Sequence, residues 1–347
     1  MKAIIQNLEI RAVTAYLPER IVDFKAFESV FGEKKVIEIM RTTGVKQVRY
    51  ADEAETAADM CVKAADKLLK EERIGRQTID GLIFVSQTPD YLLPSTSVVI
   101  QNKLGLSREV ICLDVRYGCS GYIYGIAQAA AWIQAGMCKS VLVLAGDTTS
   151  RLIHPEDKSL KLIFGDAGTA TWITRGEGKM AVSIHSDGSG YDKLIVPAGG
   201  FRLPCSELTQ KPGMDEDGNV RTPENMYMDG MAIFSFAMKE VPENIRETIR
   251  EIGWEKDDAS FYAMHQANRF IVECIRKALR VDSSKMPVNV EFYGNTGPAS
   301  IPLLLADKCP SASCELRRTV LSGFGVGLSW GSIACDLSGT HFYKPIN

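Results

Sequence analysis

The sequence predicts an α/β protein made of two similar halves that share one core. Three observations carry that reading. Short, near-continuously apolar runs alternate with longer helical patterns, as they do in sheets covered on both faces. The order strand, turn, helix, strand, turn, helix, strand, strand occurs twice along the chain. No low-complexity tract or flexible linker separates the two occurrences.

The N-terminus, Met1-Lys2-Ala3-Ile4-Ile5, opens an alternating, strand-like segment. A strand at about 80–87 ends at the turn Thr88-Pro89-Asp90, and a helix runs from about Ser95 to Leu104. A strand over about 109–115 leads through Arg116-Tyr117-Gly118-Cys119-Ser120-Gly121 into a long, Ala-rich helix to about Ala135. Gly136 suits the end of that helix. Residues 140–146 form the next strand. In the second half, 260–265 reads as a strand, Asn268 to Leu279 as a helix and 288–292 as a strand. Gly294-Asn295-Thr296-Gly297-Pro298-Ala299-Ser300 opens an apolar helix to about Ala306. Residues 319–322 and 328–336 are the last two strands. Gly168-Thr169-Ala170-Thr171-Trp172 echoes Gly327-Leu328-Ser329-Trp330. Alternation alone is common to all α/β proteins, so it is the matching turns that argue for a duplication. The halves divide as 1–175 and 176–347. Two pieces break the symmetry: a polar excursion at 151–165, and a Gly-, Pro- and acid-rich segment at 198–230 that suits a loop shaping a substrate mouth or partner contact.

Composition excludes several classes. The 347 residues are 45% apolar and 24% charged, as in globular proteins. A net charge of −3 offers no global field for nucleic acid or an acidic membrane. No run reaches the roughly 18 apolar residues of a spanning helix. The N-terminus lacks the apolar core and cleavage site of a signal peptide, so the expected address is the cytoplasm. The nine cysteines form no CxxC pair, and there are only four histidines. Neither a disulfide framework nor a zinc site is expected, and most of the cysteines read as small buried hydrophobes.

Cys119 differs from them. It lies between a buried strand and a long helix, flanked by Gly118 and Gly121. The turn admits substrate, and a helix start favours thiolate. Its position alone also suits a structural cysteine. His265 follows a buried strand in His265-Gln266-Ala267-Asn268, mirroring the loop near Ser86. A lone histidine there is commonly a structural hydrogen-bonder, yet strand ends between α/β halves are where ligands bind. Asn295 stands in the second half where Cys119 stands in the first; by itself it would be a turn residue. Gly323-Phe324-Gly325-Val326-Gly327 presents backbone N–H groups suited to an oxyanion. A phosphate loop is the competing reading, but no Walker lysine follows and the next segment reads as a strand.

Gly118-Cys119-Ser120-Gly121, His265–Asn268, Gly294-Asn295-Thr296 and the 323–331 segment resemble, in order, the signatures of the 3-oxoacyl-[acyl-carrier-protein] synthase III family. Tyr16-Leu17-Pro18, Thr43-Gly44-Val45, Pro94-Ser95-Thr96 and Phe164-Gly165-Asp166 add to the match, which covers nearly the whole chain. The resemblance implies the thiolase fold, with two βαβαβαββ halves in five layers, α-β-α-β-α, in a homodimer. It implies that Cys119 takes an acyl group from a coenzyme A or carrier-protein thioester. His265 and Asn295 would then hold the thioester carbonyl of malonyl-acyl carrier protein while decarboxylation generates an enolate that attacks the acyl-enzyme. Backbone N–H groups of Cys119 and Val326 would hold the acyl-transfer oxyanion. The product would be a 3-oxoacyl carrier protein, for fatty acid or related lipid synthesis, with no metal or redox cofactor.

The chain departs from the family pattern at several points. Where priming members carry Trp and Arg for the adenine end of coenzyme A, it has Glu38 and Thr42, with Arg41 shifted by one. Met231, after Gly230, replaces an Asn that contacts pantetheine. These changes argue against acetyl-CoA as donor. Leu93 stands where a dimer partner closes the acyl tunnel, and it is slimmer than an aromatic. Arg269, Arg276 and Arg280, with Lys277, fall on one expected helix face that suits an acidic carrier protein. Other readings are a hydroxymethylglutaryl-CoA synthase-like or head-to-head condensing enzyme, a non-catalytic scaffold, and a papain-like protease. The first two normally have a carboxylate near the cysteine; here only Asp114 and Glu109 lie close in sequence. The protease reading lacks the local cysteine signature.

Overall fold

The computed structural model describes residues 1–255 and 257–347. The chain enters in a long strand, β1 (Lys2–Tyr16), followed by the surface helix α1 (Glu33–Thr43). Helix α2 (Ala57–Glu71) starts at a Thr56/Asp59 capping box, in which each side chain accepts the other residue's backbone N–H. Then come β2 (Gly81–Val85), α3 (Thr96–Lys103), β3 (Ile111–Val115), α4 (Gly121–Gln134) and β4 (Ser140–Asp147). A strand of 20 residues, β5 (Ala167–Ser186), crosses the middle of the chain. The second half holds α5 (Gly230–Glu251), β6 (Phe261–Met264), α6 (Arg269–Leu279), a single turn α7 (Val290–Tyr293) and α8 (Ser300–Lys308). It ends in β7 (Thr319–Gly325), β8 (Ser329–Cys335) and the two-residue strand β9 (His341–Phe342).

These strands make one sheet in the order β6-β7-β8-β5-β4-β2-β3, with β1 along β5 and β9 on β1. β2 lies parallel to β4, which runs antiparallel to residues 167–174 of β5. β6 lies parallel to β7, which runs antiparallel to β8, and β8 pairs with residues 180–186 of β5. The parallel-then-antiparallel pairing of β2, β4 and residues 167–174 of β5 therefore recurs in β6, β7 and β8, and the backbone of β5 runs unbroken through 175 and 176.

Alternation along the strands sets the layers. On β2, Leu82 and Phe84 pack with α2 and α3, while Ile83 and Val85 pack with α4. On β7, Val320 joins the core under α5 and α6, while Leu321 joins α4 and α8. Helices α4 and α8 thus form a shared central layer, with one part of the sheet on each side and a helical layer outside each. That is the five-layer thiolase fold. α4 is apolar around most of its circumference because it is buried on both sides.

One strand expectation fails. Residues 288–292 do not pair with any described strand; they turn into α7, which closes on Gly294 through its N–H to Val290 O. The Asn289 N–H is used by Gln266 Oε1, and Val290 is buried in a small cluster with Val36, Val45 and Val48. The β-branched pattern there reflects packing against a loop, not a ladder. The two excursions, read separately in the sequence, pack on each other. Asp157, fully buried, pairs with Arg221 at 2.9 Å, and the Met226 N–H reaches Leu152 O at 2.7 Å. Among the described residues no helix is long and apolar enough to cross a membrane.

Candidate active site

Cys119 sits on the turn between β3 and α4, closed by the Gly121 N–H on Gly118 O at 2.7 Å. The end of β7 is pressed against it. A Cβ on Gly325, whose φ is +158°, would stand 2.8 Å from Cys119 Cβ and 3.1 Å from its sulfur. A Cβ on Gly323 would stand 2.8 Å from Cys119 O. Glycine is therefore required where two backbones meet. Ser120 Oγ lies 2.6 Å from Ser329 Oγ, which donates to Val326 O at 2.7 Å. That chain of hydroxyls fastens the cysteine turn to the 325–327 turn. The thiol faces its own backbone N–H and that of Val326.

Burial works against the thiolate expectation. Burial, and then the Asp147 carboxylate, push the Cys119 thiol up to about 12. The loss of water around the sulfur thus opposes the pull of the α4 start and favours the thiol.

His265 follows β6 and is anchored by its N–H to Ser322 O at 2.8 Å. Its ring stands edge-on to Phe324, and Nδ1 lies 2.6 Å from Ser300 Oγ at the start of α8. Burial pulls the imidazole down to about 3, so the ring is neutral at neutral pH. If the Ser300 hydroxyl donates to Nδ1, the proton of the neutral ring sits on Nε2, aimed away from Ser300. Asn295 is held through its backbone: its N–H reaches Ile163 O at 2.8 Å and its carbonyl takes the Gly165 N–H at 3.0 Å. Its Oδ1 accepts the Gly297 N–H at 3.0 Å, which leaves the Nδ2 amide free to donate. Cys119, His265 and Asn295 line one small cavity of about 80 Å³ with Phe324 and Gly325. The site thus offers a nucleophile, two backbone donors and two neutral side-chain donors in a dry space.

Asn268 and Gln266, beside His265, are structural. Asn268 caps α6 by accepting the Ile271 N–H at 2.8 Å. Cys119 also borders a larger cavity of about 530 Å³, walled by Leu152, Phe164, Leu194 and Met226 and roofed by 198–201. Leu92 reaches that cavity; Leu93 does not, and points out with 82% of its surface exposed. Glu38 and Thr42 border a separate cleft of about 600 Å³ with Lys35, Lys158 and Asp217, and Met231 is exposed beside the small cavity.

The expected cationic face is corrected in part. Arg276 is tied by a fork to Glu273 and to Val281 O. Arg280 ends α6 in a left-handed conformation, φ 57°, instead of continuing the face. Arg269 pairs with Glu291 at 3.2 Å, and Lys277 is exposed. Asp114 accepts the Thr96 and Ser97 N–H groups at the start of α3, and Glu109 is exposed. The carboxylate beside the cysteine is instead Asp147, which closes β4. An acid at the end of a wholly buried strand was the available signal.

A thiol, an imidazole and a carboxamide converging between the halves of a thiolase fold define an acyl-transferring condensing enzyme. Residues 113–188 match the family described as 3-oxoacyl-[acyl-carrier-protein (ACP)] synthase III, and 249–337 match its C-terminal part. A beta-ketoacyl-[acyl-carrier-protein] synthase III from Clostridioides difficile is 33% identical over 93% of this chain and 96% of its own. One from Chlamydia caviae is 32% identical over 95% and 96%. The crystal structure of a 3-oxoacyl-(acyl-carrier protein) synthase from Burkholderia xenovorans superposes with a TM-score of 0.92 at 36% identity, covering 100% of this chain and 98% of that one. The chain belongs to the 3-oxoacyl-[acyl-carrier-protein] synthase III family.

Gly325→Ala should force the cysteine turn away. We expect a stability loss of about 1–3 kcal/mol in urea unfolding and slower alkylation of Cys119. Wild-type values for both would contradict this packing.

Proposed function

We propose that the chain joins an acyl group carried on Cys119 to the two-carbon unit of malonyl-acyl carrier protein, releasing CO2 and a 3-oxoacyl carrier protein. The observation that carries this is the meeting of Cys119, His265 and Asn295 at one buried cavity. The sulfur attacks the donor thioester, and the N–H groups of Cys119 and Val326 hold the oxyanion. After the donor's thiol leaves, His265 Nε2 and Asn295 Nδ2 donate to the malonyl thioester carbonyl. Loss of CO2 leaves an enolate on that carbonyl, which both donors stabilise. Its carbon attacks the acyl carbonyl, the C–S bond breaks to release the Cys119 thiolate, and that thiolate takes a proton from solvent as the product leaves. Neutral donors suit the step, because a cationic imidazole would be costly in so dry a site. Ser300 is a positioning residue that sets the imidazole tautomer.

Only the thioesters of coenzyme A or of the carrier's phosphopantetheine are required. Glu38, Thr42 and Met231 in place of the usual coenzyme A contacts, and a cavity of about 530 Å³, support a donor larger than acetyl. The working unit is a homodimer: Tyr91, Leu92 and Leu93 form an exposed apolar edge suited to a second copy, whose Leu93 would close the acyl tunnel. All nine cysteines are free, which supports a reducing, cytoplasmic setting. The carrier docks at Arg269 and Lys277 beside the exposed Phe270, with Arg280 at the edge of the patch and Arg276 serving only as scaffold.

Intact-protein mass spectrometry after incubation with acyl-CoAs and acyl carrier proteins tests the acyl-enzyme. An adduct is expected on the wild type and on Ser300→Ala, and none on Cys119→Ala. Ser300→Ala should then condense about 10-fold or more slowly. No adduct from any donor sinks the mechanism. Leu93→Phe should shift donor preference toward shorter chains; an unchanged chain-length profile removes Leu93 from the tunnel. Lys277→Glu should raise the KM for malonyl carrier protein several-fold and leave self-acylation from acyl-CoA unchanged. An unaltered KM places docking elsewhere.

A further inference from the structure

We propose that Asp147 is the general base that takes the proton of the Cys119 thiol as acyl transfer begins and returns it to the departing thiol. The proposal deepens the acyl-Cys119 reading above and rests on it.

Asp147 is buried, with 3% of its surface exposed, at the end of β4. Its two oxygens differ. Oδ1 accepts four hydrogen bonds: from Ser86 Oγ at 2.7 Å, Gln87 N at 2.8 Å, Thr88 Oγ1 at 3.1 Å and Thr88 N at 3.2 Å. Among the described residues Oδ2 receives none. It lies 3.1 Å from where a Cβ on Gly297 would stand. Gly297, Asp147, Gly118 and Cys119 border the same cavity. One oxygen is thus pinned as an anchor, and the other is left at the wall of the thiol's cavity.

The site needs such a group. Burial favours the thiol at Cys119, and the proton of a thiol must go somewhere as the C–S bond forms. His265 is a poor base here, because burial holds it neutral down to about 3 and its Nε2–H is required later as a donor. Burial raises the Asp147 carboxyl to about 6 against its four hydrogen bonds, so it is ionised at neutral pH and basic enough to accept a proton. The other charged or titratable groups bordering the cavity are Arg116, Cys205 and Glu224. Arg116 is exposed, and Glu224 accepts from Thr209 Oγ1 at 2.7 Å. Cys61, on α2, packs behind Asp147, and burial pushes its thiol up to about 12.

The proton balance is closed. The S–H bond breaks and an Oδ2–H bond forms, directly or through one water, as sulfur attacks the thioester carbonyl. The N–H groups of Cys119 and Val326 hold the oxyanion. Its collapse breaks the bond to the donor sulfur, which takes the proton from Oδ2. Acyl-Cys119 and a free thiol result, and the carboxylate is regenerated.

The sign of one substitution separates this role from a bystander charge. A bystander carboxylate only disfavours thiolate, so Asp147→Asn would speed alkylation of Cys119. A base makes the opposite prediction. Asn keeps the shape and can still accept at the Oδ1 position. The experiment alkylates the folded protein with iodoacetamide across pH 5 to 9 and follows Cys119 by peptide mass, with exposed Cys314 as the internal reference. We expect Asp147→Asn to slow Cys119 about 10²-fold near neutral pH and to abolish the rise in rate across about pH 6 set by the carboxyl. Thr88→Val removes one bond to the charged form and should move that rise to higher pH. Alkylation of Asp147→Asn that is unchanged or faster overturns the proposal, as does a rise that Thr88→Val leaves in place. Iodoacetamide needs no acyl donor. A wild type that forms no acyl adduct therefore sinks the proposed function while this measurement still reads the proton path.

Discussion

Everything at this site depends on how closely the end of β7 approaches the Cys119 turn. Two glycines, Gly323 and Gly325, let one backbone lie against the other with no room for a methyl group. That contact places the Val326 N–H beside the sulfur and puts Phe324 under the His265 ring. It also joins the first half of the chain to the second at the point of reaction. The hydroxyl chain Ser120–Ser329–Val326 holds the same junction from behind. A nucleophile from one half and its donors from the other are useful only if that seam is rigid.

The second consequence is electrostatic. Dryness drives each titratable group toward its neutral form: the Cys119 thiol up, the His265 imidazole down, the Asp147 carboxyl up. Neutral donors such as His265 and Asn295 are suited to stabilising an anion that exists only during reaction, because neither carries a resting charge to be solvated. Orientation then has to come from hydrogen bonds behind the donors. Ser300 supplies one for His265, and the Gly297 N–H supplies one for Asn295.

The alternation of strands and helices was legible because buried strands are apolar on both faces, and β2, β4, β7 and β8 fall where that pattern places them. The turns carrying Cys119 and Asn295 were legible as glycine-rich breaks after apolar runs. Residues 288–292 were misread because Val288, Val290 and Phe292 alternate like a strand, while only the fold shows that no strand is alongside. The state of the thiol was not legible either: helix position is visible in a sequence, but the depth of burial that opposes it is not. Asp147 and Ser300 were passed over because each matters through an atom facing a residue more than 25 positions away. The cationic face on α6 looked continuous because the sequence does not show that Arg276 is consumed by Glu273 or that Arg280 leaves the helix.

The most direct test of the account follows the malonyl carboxyl itself. Malonyl-acyl carrier protein labelled in its free carboxyl is supplied with the donor that best acylates the enzyme, and labelled CO2 and 3-oxoacyl carrier protein are counted together. The account predicts that the two appear in equal amounts and that both cease when Cys119 is replaced. Acyl transfer without release of the label, or release of the label without a 3-oxoacyl product, would contradict it.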